Sequence, residues 1–344
     1  MVRRFIVALL ALAAGTSDAL SADITLRFGT INAKTTRAFT EQLMPLKAAI
    51  EEGSKGRVEV QLGGLGDFGT PVQLLGLLEK GDLEMISTVQ GYHPGRFPLS
   101  AVMEMPLLYE NAEQGTYAMW KLYEEGLIAK DYAEFKVLSL YVLPPYGIFT
   151  TNTDIASLRD LRGLRVRSPS VAVGLAMSRL GMIPLGIPNN AIGATLNDSL
   201  IDSISYGWDS GATTPGAGGK MLIEQVKYLV DARFAAPSLM VLMKQKTFDA
   251  LPADIQKVID GATGLDFSVR SARMRDGWDN QTRDRLKGQG SHKVIALSAD
   301  QRAEMARRTA PVIDEWTESV TRDGIDGRKI IERARELIRQ SPKA

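Results

Sequence analysis

The polar side chains with the clearest chemical signal are two arginines in one short segment. Arg165 and Arg167 stand two residues apart in GLRVRSP, a pattern typical of a short strand that ends at Pro169. Side chains at i and i+2 of a strand point to the same face of the sheet. A guanidinium can donate two parallel hydrogen bonds to a carboxylate, so this segment is suited to anchoring an organic acid. Arginines on a strand are most often solvated charges without a binding role. An arginine at the end of a strand in an α/β cleft, however, lies where ligands bind in such folds.

Other chemistries have weaker signals in this chain. His93 and His292 are its only histidines and it has no cysteine, so we expect neither a metal site nor thiol catalysis. The segment GLGDFG (64–69) matches a dinucleotide fingerprint, but it follows the second predicted strand, and a glycine turn into a helix is the better interpretation. We expect a binding protein without a cofactor. A secreted carboxylate-processing enzyme with Arg167 as its substrate clamp is the alternative.

The elements that must position the arginines alternate between strands and helices. Apolar residues alternate in ITLRF (24–28) and RVEVQL (57–62), FKVLSLYVL (135–143) is a strongly apolar strand, and amphipathic helices separate the strands. This alternation predicts an α/β fold with largely parallel sheets, followed by a helical C-terminus. Because no flexible linker separates the halves, we expect strands to cross between two lobes near 149–151 and 233–236.

The N-terminus predicts a secretory signal peptide. Two arginines precede an apolar run at 5–14, and small residues follow, so cleavage is expected after Ser21 or Ala22, with 1–22 as the signal segment. About 20 apolar residues are needed to span a bilayer, and this run is half that length. We therefore expect an exported, periplasmic protein whose mature chain does not span the membrane.

Length, charge and cysteine content narrow the class of protein further. The chain has 344 residues, which suits two domains of ordinary size, and its 41 basic and 40 acidic residues give a net charge of +1. The chain therefore lacks the excess of basic residues that is typical of a nucleic-acid-binding protein. An exported chain without cysteine cannot form disulfides, so it must be stabilised by core burial.

Several segments resemble the extracytoplasmic solute receptors of tripartite ATP-independent periplasmic (TRAP) transporters, the DctP family. SLRDLRGLRVRSPS (157–170) is similar to the family's segment around its carboxylate-binding arginine, and RLGMIPLGIPNNAIGATLNDSLIDS (179–203) resembles the segment that follows it. GYHPGRFPLSAVMEMPLL (91–108) and FDALPADIQKVID (248–260) are weaker markers. Together the segments are specific, and the resemblance covers nearly the whole mature chain.

The resemblance implies a two-lobed clamshell with hinge-crossing strands and a ligand between its lobes. We predict a first lobe of 23–148 with 234–275 and a second lobe of 149–233 with 276–344. The implied function is capture of a small organic acid and its delivery to the integral-membrane subunits of a transporter driven by an ion gradient. We expect a monomer. A receptor for an ATP-driven importer or a sensor is a further alternative.

The resemblance also implies that Arg167 pairs with the ligand carboxylate, while Arg165 occupies a variable position. Tyr206 and Trp208 stand where the family often has a polar contact, which suggests a ligand with an aromatic or apolar body. Trp208 has an alternative role, packing in the core beneath the cleft. Further residues proposed for the pocket wall are Phe149, Tyr146, Gln90 and Tyr92.

Overall fold

The computed structural model describes residues 22–342, so the predicted signal peptide lies outside the described residues except for Ala22. The described part of the chain forms two β-sheets flanked by helices. Its strands are β1 (Ile24–Thr30), β2 (Val58–Gly63), β3 (Met85–Val89), β4 (Phe135–Val142), β5 (Gly147–Thr150), β6 (Arg165–Ser168), β7 (Ile183–Gly186), β8 (Ser203–Tyr206), β9 (Tyr228–Asp231), β10 (Ser238–Lys244) and β11 (Lys293–Ala296).

The helices lie between the strands and fill the C-terminal quarter of the chain, as predicted. They are α1 (Met44–Gly53), α2 (Leu74–Lys80), α3 (Ala112–Glu124), α4 (Val171–Arg179), α5 (Asn189–Asn197), α6 (Trp208–Thr213), α7 (Gln245–Asp249), α8 (Ala253–Ala262), α9 (Gly264–Gln289), α10 (Ala299–Thr309), α11 (Pro311–Arg322) and α12 (Gly327–Gln340). A π-helical segment, Ala38–Leu43, leads into α1, and short 3-10 turns occur in several loops.

The first sheet has the strand order β2-β1-β3-β10-β4. Strands β1, β2 and β3 are parallel, and β10 runs antiparallel to both of its neighbours. Leu26 and Phe28 alternate with polar residues along β1 and are buried, whereas β3, in the middle of the sheet, is buried at all five positions. This pattern is what a strand covered on both faces requires.

The second sheet has the order β11-β9-β5-β8-β6-β7 and positions the two arginines. Strand β6, which contains Arg165 and Arg167, is parallel to both β7 and β8. Strand β5 is antiparallel to β8 and β9. The fold is therefore the predicted α/β arrangement of two lobes, each built around its own sheet.

Two extended segments, 143–146 and 232–237, connect the sheets side by side. The backbone N–H of Tyr146 donates to the carbonyl of Ala235 over 3.0 Å, which ties one segment to the other. The second segment contains the predicted crossing range 233–236. The first lies a few residues before 149–151, and β5 already belongs to the second sheet, so the predicted lobe boundary at 148 falls inside a strand.

Helix α9 is a third connection between the lobes. It packs against α3 and β4 of the first lobe and against α6 and β11 of the second. Helices α10 and α11 lie on α4 of the second lobe, but α12 packs against α3 and so returns to the first lobe. The structure thus differs from the predicted assignment of 276–344 to the second lobe, because the sequence pattern of a helix does not show which neighbour its apolar face contacts.

Within residues 22–342, the structure contains no helix with the length and apolar composition needed to cross a bilayer.

Candidate functional site

A cleft of about 570 Å³, including its solvent-open mouth, lies between the two lobes. Both sheets contribute to its wall, so its shape depends on how the lobes meet. The lining residues are Ile31, Asn32, Ala33, Thr36, Ala38, Val89, Tyr92, Leu143, Tyr146, Arg167, Asn189, Tyr206, Asp209, Ser210, Thr213, Thr214, Pro237, Leu239 and Arg275.

Arg167 is the most constrained charged group of this cleft. It is 1% exposed, and its guanidinium donates to the carbonyls of Ile187 (Nε, 2.8 Å) and Ser205 (Nη1, 3.2 Å) and to the hydroxyl of Tyr92 (Nη2, 2.9 Å). Arg165, two residues earlier, pairs with Asp202 over 2.6 Å and its side chain is 41% exposed. The same strand therefore contains one buried and one solvent-facing arginine.

Three of the five N–H groups of the Arg167 guanidinium are used by the protein, and two are left over. Arg167 forms no ion pair with a carboxylate among residues 22–342. A buried charge is stable only when it is paired and hydrogen-bonded. The geometry therefore suits the Arg167 guanidinium to bind an anionic group.

Tyr92 joins the two lobes across the cleft. Its oxygen accepts from Arg167 Nη2 and from the backbone N–H of Asn189 over 3.1 Å. The side-chain amide of Asn189 in turn donates to the carbonyl of Ile31 over 2.7 Å. Because Tyr92 and Ile31 belong to the first lobe and the other two residues to the second, these bonds form only when the lobes are closed.

Two further tyrosines form an aromatic wall. The guanidinium carbon of Arg167 lies 5.2 Å from the ring centre of Tyr206, and the ring of Tyr146 lies 5.7 Å from that of Tyr206. Burial raises the pKa of both phenols, and the positive charge of Arg167 acts in the opposite direction. Both tyrosines therefore stay neutral and present an apolar face with a polar edge.

The structure separates the remaining predicted site residues from the cleft. Trp208 is 2% exposed and packs edge-to-face on Phe149 at 4.9 Å, so both belong to the core beneath the cleft, which is the alternative role considered for Trp208. Gln90 donates to Tyr132 over 2.6 Å inside the first lobe. Neither Trp208, Phe149 nor Gln90 lines the cleft. Whether a residue in a strand or at the start of a helix faces the cleft or the core depends on the register of the neighbouring elements. The sequence of the segment alone does not show that register.

Two cleft residues, Arg275 and Asn189, were not predicted from the sequence. Arg275 is 6% exposed and lies on the buried face of α9 with Trp278 and Asp279. A charged residue in helical register with apolar ones could have indicated it, because an arginine on the buried face of a helix needs a partner. Asn189 opens α5 in a proline-flanked segment that carries no comparable signal.

Helix α9 also fixes the start of α6. The carboxylate of Asp279 accepts from the backbone N–H of Asp209 (2.9 Å) and of Trp208 (3.2 Å). Burial raises the pKa of Asp279 to about 7, and the two N–H donors act in the opposite direction. Asp209, which lines the cleft, has a raised pKa for the same reason, opposed by the charges of Arg37 and Arg275.

Across residues 22–342 no group of three or more histidine, aspartate or glutamate side chains is placed to hold a metal ion. Residues 64–69, the possible dinucleotide segment, form a turn after β2 in which the Asp67 carboxylate accepts from the N–H of Gly64. Gly66 has φ +91°, a left-handed conformation that glycine adopts freely. The turn interpretation agrees with this geometry.

Two α/β lobes, joined by paired crossing segments and closed over a cleft with a buried arginine, define a two-lobed solute-binding protein. The sequence profile of the family described as bacterial extracellular solute-binding protein, family 7 (DctP), matches residues 28–319. The chain belongs to this family. The resemblance to TRAP receptors is thereby confirmed.

Solved structures and one curated relative are similar over most of the chain. A TRAP solute-binding protein from Rhodoferax ferrireducens, in complex with copurified benzoate, has a TM-score of 0.86 and 26% identity, covering 92% of this chain and 98% of that one. A marine metagenome TRAP solute-binding protein specific for aromatic acid ligands, in complex with metahydroxyphenylacetate, has a TM-score of 0.86 and 25% identity, covering 93% and 100%. TsaT of Comamonas testosteroni, described as an outer membrane transporter protein, is 21% identical over 84% of each chain.

Proposed function

We propose that the protein captures an organic acid with an aromatic or apolar body in the cleft and delivers it to the integral-membrane subunits of a TRAP transporter. The observation that carries the proposal is Arg167, a buried guanidinium with two N–H groups to spare and no carboxylate partner in the described chain. A carboxylate that leaves water for a closed cleft needs such a charged partner.

The tyrosines have distinct roles in this proposal. Tyr92 holds Arg167 from the opposite lobe, and because its oxygen accepts twice, its own proton is left for a ligand oxygen. Tyr146 and Tyr206 form the aromatic wall against which the body of the ligand packs. Benzoate and metahydroxyphenylacetate, bound by the two similar receptors, are monocarboxylates with such a body, which supports this ligand class.

Binding and lobe closure are the whole of the proposed mechanism, and no covalent step is involved. Transport would be driven by an ion gradient, with the closed monomer recognised by the membrane subunits. The competing proposal of an Arg167-clamped secreted enzyme predicts product formation. Chromatography of a bound acid incubated with the protein would detect it.

Export is part of this proposal. We expect the mature chain to begin near Ala22 or Asp23 and to occur in the periplasmic fraction. N-terminal sequencing of the fractionated protein checks this. An intact N-terminus on a cytoplasmic protein would contradict it.

The decisive experiment is calorimetric titration of wild-type protein with aromatic and aliphatic acids, repeated with Arg167→Ala. Removing one member of a buried charge pair costs about 2–5 kcal/mol, so the affinity should fall roughly 30-fold to several thousand-fold. Arg167→Lys should recover part of the loss, because a point charge replaces a fork.

Arg165→Ala is the matched control, since this arginine lies on the same strand but is paired with Asp202 and exposed. The affinity of the Arg165→Ala variant for the ligand should stay near that of the wild type. If Arg167→Ala binds the ligand as tightly as the wild type does, and circular dichroism shows that the variant is folded, the proposed role of Arg167 in binding the carboxylate is wrong. If succinate or malate binds tightly and aromatic acids do not bind, the proposal that the ligand has an aromatic or apolar body is wrong.

A further inference from the structure

A second guanidinium lines the same cleft as Arg167. Arg275 of α9 is 6% exposed, and its Nε and Nη2 donate to Gln42 Oε1 over 3.1 and 2.6 Å. Its guanidinium carbon lies 5.3 Å from the ring centre of Tyr141. Three of its five N–H groups remain after these two bonds.

The two buried guanidinium groups of the cleft have no carboxylate in direct contact within the described chain. Neither Arg167 nor Arg275 forms an ion pair within the described range 22–342. Asp209, which lines the cleft, lies 3.6 Å from Arg37, and the charge of Arg275 also acts on it from a greater distance. A single ligand carboxylate would compensate one of the two buried guanidinium groups. Arg275 would then have only the more distant charge of Asp209 and no anion in hydrogen-bond contact, which is costly for a buried guanidinium.

The surroundings of Arg275 have unused hydrogen-bonding capacity. Gln42 accepts both Arg275 bonds on its oxygen, and its Nε2 is buried without a partner in the described chain. The hydroxyl of Tyr141 is likewise buried without one. Gln42 and Tyr141 contact Arg275 but do not line the cleft, so it is the unused N–H groups of Arg275 itself that fit an additional acceptor there.

We infer that the ligand carries a second anionic group, a carboxylate or a sulfonate, which Arg275 binds while Arg167 binds the first. Tyr146, Tyr206 and Leu239 line the cleft together with the two arginines and offer an apolar surface to the group that joins the two anions. The inference rests on the proposed function and narrows its ligand class to dianionic acids with a ring or other apolar body.

The test compares ligands with the same aromatic ring and different charge. Wild-type protein is titrated calorimetrically at pH 8 with benzene-1,3- and 1,4-dicarboxylate, with the monomethyl ester of each, with 4-sulfobenzoate and with benzoate. At least one dianion should bind about 30-fold or more tightly than its monoanionic counterpart, the size expected for one buried charge pair.

Arg275→Gln should bring the ratio of dianion to monoanion affinity down to about 1, whereas Arg167→Ala should weaken binding of both kinds. If the glutamine variant does not fold, Arg275→Met, which keeps the apolar part of the side chain, replaces it in the test. The comparison of dianions with monoanions on the wild-type protein needs no variant.

Two results overturn the inference alone: monoanions that bind wild type as tightly as dianions do, or an Arg275→Gln variant that weakens both equally. The second result would make Arg275 a structural residue. If none of the aromatic acids binds, the proposed ligand class fails, and this inference fails with it. Binding of benzoate therefore distinguishes the two failures.

Discussion

At the scale of single residues, Arg167 is held from three directions by the protein itself. Its partners are two backbone carbonyls of the second lobe and the hydroxyl of Tyr92 from the first. A guanidinium fixed in this way loses little rotamer freedom when a carboxylate arrives, which favours binding. Tyr92 therefore orients the arginine and also links it to closure.

Replacing Tyr92 with phenylalanine removes the oxygen that accepts from Arg167 and from the Asn189 backbone. Hydrogen bonds to charged groups contribute about 1.5–3 kcal/mol, so ligand affinity should fall roughly 10- to 100-fold in calorimetric titration. Tyr132→Phe is the matched control, because that hydroxyl bonds Gln90 and Ser100 inside the first lobe. Equal losses in the two variants would contradict a specific role of Tyr92.

Candidate site residues could be proposed from the sequence only where the chemical signal is local. Arg167 follows from two arginines on a strand that ends at a proline, together with the resembling segment. Trp208 could not be assigned to wall or core, because that depends on Phe149, which packs on it from another strand. Arg275 lies about a hundred residues from Arg167 in sequence, and only folding brings them to one cleft.

At the scale of elements, α9 links the lobes through two aspartates three residues apart. Asp276 accepts from the backbone N–H groups of Ala112 and Glu113 at the start of α3, and Asp279 does the same for α6. One helix thus caps a helix of each lobe. Burial raises the pKa of Asp276 to about 6 and that of Asp279 to about 7.

The raised pKa of Asp279 predicts a pH dependence of stability. The native state binds a proton that the unfolded state has already lost, so the free energy of unfolding falls as pH rises from about 4 to 7, by up to about 1.4 kcal/mol per pH unit, and levels off above 7. Asp279→Asn should lose this component. His93, whose pKa burial lowers to about 4, acts in the opposite direction in both proteins and cancels in their difference.

Urea unfolding of wild type and Asp279→Asn between pH 5 and 8 measures this difference. Asp284→Asn is the control, since that carboxylate lies on the same helix and its side chain is 67% exposed. A difference between wild type and Asp279→Asn that does not change with pH would mean that Asp279 is ionised throughout the range.

At the scale of the whole molecule, the lobes meet at a point with no room for a side chain. A Cβ built on Gly91, in the loop after β3, would lie 2.3 Å from the Cβ of Ser170 and 2.6 Å from the carbonyl oxygen of Pro169. Gly91 belongs to the first lobe and the other two residues to the second. Closure therefore requires glycine at this position, whereas an open arrangement does not.

Gly91→Ala should leave the separate lobes intact and hinder their closure. We expect ligand affinity to fall about tenfold or more, because binding must stabilise a less favourable closed state. Small-angle scattering should show the wild type becoming more compact at saturating ligand and the variant changing less.

Gly76→Ala, in α2 with open space around it, is the control and should behave like the wild type. A wild-type radius of gyration that ligand leaves unchanged would contradict the hinge mechanism. Full compaction of the variant would show that Gly91 does not limit closure.

The two-lobed architecture was predictable, and its boundaries were less so. Strand and helix alternation, with the resembling segments, indicated an α/β clamshell. A crossing was expected near 233–236, and the connecting segment at 232–237 contains that range. The return of α12 to the first lobe was not expected, because an amphipathic helix packs on any complementary apolar surface and sequence does not select among them.

That return places both ends of the described chain on the first lobe, since β1 lies in the first sheet and α12 lies on α3. Fluorescent proteins fused to the two termini would keep their separation when the cleft closes, and such a pair would make a poor sensor. The absence of cysteine offers a direct alternative. Cysteines introduced at exposed Glu52 on α1 and exposed Asn197 on α5 would carry one dye on each lobe, and energy transfer between them would follow the hinge itself.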